Sequence, residues 1–157
     1  MTQTAAALDT NAKTAIADAL NQSVAETAVT TMLAQNFHWN VKGMGFGPLH
    51  DLFQKIYEDH FIAQDDLAER VRALDEHAEG TLAGMLERSK VGEHDGHASD
   101  KEMIRVMKEA QETLAATLAG CGALAAEHGD TLTEDLCIAR GQTHEKFAWF
   151  LRAHLAG

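Results

Sequence analysis

The sequence predicts an all-α protein, a bundle of four long helices with one long crossover that carries a short fifth. Three observations predict it. Apolar residues recur at intervals of three, four and five along extended stretches, which is the period of one helix face. The 157 residues hold a single proline, Pro48, where a strand-and-turn chain of this size would carry several. Ala and Leu abound and runs of β-branched residues are few, so helix is the default conformation.

The elements follow in order. Residues 1 to about 9 are expected as a flexible tail. Ile16, Leu20, Val24, Ala28, Met32 and Phe37 then mark a helix over roughly residues 10–40. Gly43, Gly45 and Gly47 break it, and Pro48 suits the first turn of the next helix. That second helix runs from about Pro48 to Leu74, with Leu49, Leu52, Phe53, Ile56, Ile62, Leu67 and Val71 as its apolar positions. From Asp75 to Ala98 there is one short helical candidate, Thr81 to Arg88, and a polar segment, VGEHDGHAS. Ser99 followed by Glu102 is a capping box opening the third helix, whose stripe is Met103, Val106, Met107, Ala110, Leu114, Leu118, Cys121 and Leu124. Gly129 closes it. Thr131 with Glu134 reads as a second capping box, starting a final helix through Leu136, Ala139, Phe147, Phe150 and Leu151.

No domain boundary, repeat or low-complexity tract interrupts the chain, so residues 1–157 read as one domain. The connections within the first and last helix pairs are short and make antiparallel hairpins. The link between the pairs, about 24 residues, is long enough to run the length of a bundle, which is ferritin-like connectivity rather than simple up-down-up-down.

A net charge of −11 argues against a general nucleic-acid binder, which needs Lys and Arg to displace counterions from phosphates. It suits a surface that attracts cations. Cys121 and Cys137 have no CxxC spacing and read as small buried hydrophobes in a reducing compartment. The start, MTQTAAALDT, lacks the layout of a signal peptide, and no apolar run approaches membrane length. The expectation is a soluble cytoplasmic protein.

Nine histidines and 24 acids leave many potential ligands, so position must sort them. A di-iron bundle ordinarily carries Glu-x-x-His on two helices. No His here has Glu three residues before it, so a site within one subunit's bundle is unsupported. The second helix offers something different. His50 and Gln54 are four apart, as are Asp65 and Glu69, and at 100° per residue all four fall in a sector of about 100°. Yet His50 and Asp65, fifteen residues apart, are separated by about 22 Å along a helix. One metal cannot be touched by both from one chain. An antiparallel pairing of two such helices about a two-fold axis would bring His50 of one copy near Asp65 and Glu69 of the other, making two equivalent sites, and His38 could complete each. Two imidazoles with carboxylates fit Fe(II) or Zn(II) better than calcium. The plain alternatives stand beside this: Asp65 and Glu69 as a solvated face, and His38, between Phe37 and Trp39, as a satisfied core histidine.

At these residues the run FHWNVKGMGFGPLHDLFQKIYEDHFIAQDDLAER, residues 37–70, resembles the signature of the Dps family, the miniferritins that protect DNA during starvation. Its elements are HWNVKG, the His twelve residues on within PLHDLF, and the D-x-x-x-E-R of Asp65, Glu69 and Arg70. THEKFAWFLRAHL is also similar to the family's last helix, and the likeness runs from about residue 10 to residue 156. The resemblance implies a ferritin-like bundle assembled into a hollow homododecamer. It implies ferroxidase sites at two-fold interfaces, with His38, His50 and position 54 from one subunit and Asp65 and Glu69 from its partner. Trp39 matches the Trp usually beside the centre. Position 54 departs from the pattern: the family commonly has Asp, and this chain has Gln54, neutral and offering only a carbonyl oxygen. Glu58, one turn on, either partly substitutes or is a solvated acid.

The activity implied is binding of Fe(II), electron transfer to hydrogen peroxide, and mineralisation of Fe(III) inside the cavity. Glu127, Asp130, Glu134 and Asp135 cluster near the last turn, as an iron inlet or as a solvated helix end. Family members that bind DNA often use a lysine-rich tail; residues 1–37 hold only Lys13, against Asp9, Asp18 and Glu26, so DNA binding is expected to be weak or absent. His94, Asp95 and His97 read as an accessory metal site or a solvated loop, and His60, His77, His128, His144 and His154 show no constellation. Two other readings remain: a non-enzymatic metal-sequestering shell whose site is degraded at Gln54, and a haem-binding bundle.

Overall fold

The computed structural model describes residues 1–156. It comprises α1 (Thr10–Asn40), α2 (Phe46–Ala73), the short α3 (Leu82–Arg88), α4 (Asp100–Glu127) and α5 (Thr131–Leu155). No strand occurs among the described residues, and no helix is long and apolar enough to cross a membrane. The expected architecture of four long helices and a crossover with one short helix is the one observed.

α1 starts where Asp9 accepts the Ala12 N–H at 2.8 Å, removing one of the unpaired donors that open any helix. It ends at Val41, and Gly43 turns the chain at φ +106°, a conformation open to glycine and strained for other residues. α2 begins two residues before Pro48, with Gly45 as its cap, so Pro48 falls in the first turn, where its missing N–H has no helical partner to lose. Ser99 caps α4 by accepting the Glu102 N–H at 3.1 Å. The cap of α5 is Asp130 rather than Thr131. Its carboxylate accepts the Thr133 N–H at 3.1 Å and the Thr133 hydroxyl at 2.5 Å, and it pairs with Arg70 at 2.9 Å. One buried Asp thus caps a helix and answers a cation from α2. Having no exposure, it cannot line an iron inlet.

α1 packs on α2, α4 on α5, and α1 on α4, while α3 lies against α1. α1 is therefore covered on several sides, and its buried set includes Thr27 and Thr31, whose hydroxyls donate to their own helix at Ser23 O and Thr27 O (2.6 and 2.7 Å). The crossover is fastened to α1 by polar side chains. Asn21 donates to His77 O and accepts from the Glu79 N–H, both at 2.9 Å; Gln22 donates to Arg88 O at 2.8 Å; Asn36 donates to His94 O at 2.6 Å. From Asn21 to Asn36 is about 22 Å of helix, so the link does traverse the bundle. The segment expected as a flexible tail lies against the α4–α5 turn, with the Gln3 N–H donating to Gly129 O at 2.8 Å and Leu8 buried.

The core has two apolar halves. Phe37, Phe53, Ile56, Met103, Met107 and Leu151 fill one, and Ile16, Leu20, Leu67, Leu74, Leu118 and Cys121 the other. Both cysteines are free and buried, as expected. Three residues assigned to core stripes, Met32, Ile62 and Ala139, stand exposed instead. The stripe on each of these helices is narrower than the apolar sequence suggests, and the surplus faces outward.

Candidate metal centre

His38, in the last turn of α1, and His50, near the start of α2, face each other across the α1–α2 turn. Their rings stack with centroids 3.7 Å apart and 18° between planes. Each ring donates to the other residue's backbone: His38 Nδ1 to His50 O and His50 Nδ1 to His38 O, both at 2.7 Å. A carbonyl can only accept, so both imidazoles carry a proton on Nδ1, and in the neutral ring this tautomer leaves Nε2 with a bare lone pair. That is the orientation and tautomer a metal-binding histidine is ordinarily held in. Tyr57 meets His38 edge-on at 5.4 Å, and Phe46 stacks on His50 at 5.1 Å. His38 is only 9% exposed, whereas Trp39 beside it is 63% exposed. The outer nitrogen of His38 has no hydrogen-bond partner among the described residues.

Gln54 lies one turn beyond His50, and its amide donates to Glu58 Oε1 at 2.8 Å. Asp65 and Glu69 follow on the same face, exposed and without a hydrogen bond or ion pair among the described residues. One chain brings His38 and His50 together and leaves Asp65 and Glu69 far along α2. Accordingly, no three His, Cys, Asp or Glu among the described residues are grouped to hold a metal ion. Phe61 and Ile62, 72% and 64% exposed, flank this stripe. Two large apolar side chains beside unpaired carboxylates form a patch of the kind that marks an interaction surface.

The crossover histidines resolve differently. His94 Nδ1 accepts the Gly96 N–H at 3.0 Å and its ring packs edge-on to Phe37 at 5.3 Å, so it fastens the loop. Asp95 accepts the His97 N–H at 2.8 Å, while the His97 side chain is 90% exposed. The turn is an Asx motif without a third ligand.

A second cluster escaped sequence reasoning. Between the two apolar halves, His60, Gln111 and His144 are fully buried. His60 Nδ1 donates to Asp59 at 3.0 Å; Gln111 Nε2 donates to His60 Nε2 at 3.0 Å; His144 Nδ1 donates to Gln111 Oε1 at 2.8 Å; and Arg140 donates to His144 Nε2 at 3.3 Å. Arg140 closes the ring on Asp59 through its two terminal guanidinium nitrogens, Nη2 at 2.7 Å and Nη1 at 3.2 Å. Burial pushes His60 and His144 down, His144 to about 2, so both are neutral. Burial alone would raise Asp59, but hydrogen bonds from His60 and Arg140, and the Arg140 charge, hold it well below the carboxylate range. The layer fills the bundle centre with hydrogen bonds that engage both nitrogens of each imidazole, leaving Arg140 Nε as its one unpartnered donor among the described residues, and it brings no set of carboxylates there. Its sequence signal was Gln111, a polar residue in register with Met107 and Leu114.

A family model described as a Ferritin-like domain matches residues 17–157. The chain is 35% identical over 137 residues to general stress protein 20U of Bacillus subtilis, covering 87% of this chain and 94% of that one. It is 33% identical over 148 residues to a DNA protection during starvation protein of Brevibacillus brevis, covering 94% and 99%. Among solved structures it superposes on a Dps protein from Bacillus brevis with TM-score 0.91 at 33% identity, covering 95% of this chain and all of that one. It superposes equally, TM-score 0.91 at 30% identity, on the Dps protein of Vibrio cholerae, described as a member of a superfamily of ferritin-like diiron-carboxylate proteins; coverage is 95% and 94%. With one signature carried on α1 and α2 and this likeness along almost its whole length, the chain belongs to the Dps family of ferritin-like proteins.

Proposed function

We propose that this protein stores iron and oxidises Fe(II) at sites shared between two copies of itself. The observation that carries the reading is the reciprocal locking of His38 and His50, which presents two bare Nε2 lone pairs at one point of the surface. Asp65 and Glu69, unpaired on the same stripe, supply the opposing carboxylates when a second α2 lies antiparallel across a two-fold axis. Mixed nitrogen and carboxylate ligation suits ferrous iron. Two ferrous ions each give one electron to hydrogen peroxide, which takes up two protons and leaves as two waters; the ferric ions then hydrolyse and mineralise inside a twelve-subunit cage. The protein holds the imidazoles in one tautomer, neutralises charge with the carboxylates and excludes bulk water beneath the apolar flank of Phe61 and Ile62. A net charge of −11 concentrates cations at the shell.

Complementation tests the shared site. His50→Ala and Asp65→Ala should each abolish peroxide-dependent Fe(II) oxidation above a buffer control. Co-refolded in equal amounts, they should regain about a quarter of wild-type activity, because half the pairs are mixed and each mixed pair rebuilds one of two sites. No recovery, with assembly intact, rules out sites that span copies. A second reading, a shell that sequesters metal without oxidising it, is favoured by the neutral Gln54; wild-type oxidation no faster than buffer would establish it. On either reading, residues 1–37 carry too few lysines for strong DNA binding.

A further inference from the structure

Gln54 stands where the signature leads one to expect a carboxylate, and its neighbour explains how it serves. Only the NH₂ end of an amide can donate to a carboxylate, so the 2.8 Å bond to Glu58 Oε1 fixes which end of Gln54 is which. The Gln54 carbonyl oxygen is left as a free acceptor, with no hydrogen bond among the described residues. It belongs to the residue one turn beyond His50, on the face that carries the metal-binding stripe. An amide that donates to a carboxylate is polarised, and polarisation strengthens its oxygen as a donor to a cation.

We propose that the Gln54 carbonyl oxygen is the third ligand this subunit gives to the metal, and that Glu58 is a positioning residue acting through it. Glu58 locks the amide in its coordinating orientation and holds the negative charge one turn behind the ligand. This rests on the inter-subunit site proposed above and concerns how that site keeps its grip on a divalent cation with a neutral group in place of an acid. Moving the charge back from the metal leaves it Coulombically effective but no longer able to saturate the ion's coordination.

Cobalt(II), a redox-inert stand-in for Fe(II), tests it in the assembled full-length protein by anaerobic calorimetry and visible ligand-field absorption. Glu58→Gln should weaken binding on the order of tenfold, the scale of removing one nearby charge from a divalent ion, and leave the absorption envelope unchanged because no ligand is lost. Gln54→Leu should weaken binding further and change the envelope. Adding Glu58→Gln to Gln54→Leu should then cost less than about twofold, since the group it acts through is gone. Gln54→Asp in the Glu58→Gln background should restore affinity by putting the charge on the ligand itself. Both positions lie on the outer face of α2 and every replacement tolerates a helix, so folding is not at stake. A changed envelope in Glu58→Gln would make Glu58 a direct ligand and overturn the proposal, as would fully additive losses or no loss in either single variant. Asp65→Ala separates this from the underlying reading. If Asp65→Ala leaves cobalt binding unchanged, the shared site itself fails; if it abolishes binding while Gln54→Leu and Glu58→Gln do nothing, only the present inference fails.

Discussion

Mild acid should destabilise this protein through the two imidazoles buried at the bundle centre. Both Nε2 atoms are already acceptors, from Gln111 and from Arg140, so a proton added to either would face a donor already aimed at it. In the unfolded chain each His titrates near 6.5. In the folded chain burial depresses both, His144 to about 2. Below pH 6.5 the unfolded state therefore binds protons that the native state does not, and stability falls as pH falls. Between pH 7 and pH 5 His144 removes about 2 kcal/mol, and His60 acts in the same direction. Asp59 acts in a lower window: its depressed carboxyl stabilises the fold above the ordinary Asp value, and that contribution is lost only as pH drops below about 4. The assay is urea unfolding at fixed protein concentration at pH 7 and 5, for the wild type and for His144→Gln. Gln can still donate to Gln111 and accept from Arg140, yet takes up no proton, so the variant's pH dependence should shrink by about 2 kcal/mol. Identical pH dependence in the two proteins would refute the claim that His144 is neutral in the fold.

Three further outcomes follow from the structure. Ile62→Asp places a charge on the exposed apolar flank of the α2 stripe, and should shift the sedimenting species toward single subunits while the circular dichroism of the helices is retained. Each large apolar side chain covered there is worth roughly 2 kcal/mol, so unchanged assembly would show that this face is not the paired one. Asp130→Ala removes the α5 cap and strands Arg70, which is 14% exposed at its side chain; a loss of about 3 kcal/mol or more in unfolding free energy is expected, and one below about 1 would contradict the buried pairing. In a gel shift, duplex DNA should not be retained at moderate salt, and tight binding that survives it would defeat the electrostatic reading of the tail.

The fold was legible because its signals are local. Apolar spacing placed every helix within a few residues, and the glycines and Ser99 marked the breaks. What the sequence hid is tertiary. Thr131 with Glu134 has the spacing of a capping box, yet Asp130 caps α5 because Arg70, sixty residues away, needs its charge there. Periodicity put Ile62 with the core residues of α2, but hydrophobicity does not say whether the covering surface belongs to the same chain or to another copy.

The two histidine clusters show why the candidate site was half legible. His50 stood out because it shares a stripe of α2 with Gln54, Asp65 and Glu69, and one helix's geometry is computable from numbering alone; His38, at the end of α1, joined it as the residue that could complete the set. His60 and His144 lie on different helices, joined through Gln111 on a third and through the Asp59–Arg140 pair. The structure also gives the two clusters opposite chemistry from one residue type. In the buried cluster both ring nitrogens of each His are engaged, one donating and one accepting, which fixes the ring and leaves no lone pair for a metal. In the surface pair one nitrogen is tied to a backbone carbonyl and the other is left open. Counting free lone pairs, rather than histidines, is what separates the structural layer from the candidate metal-binding face in this chain.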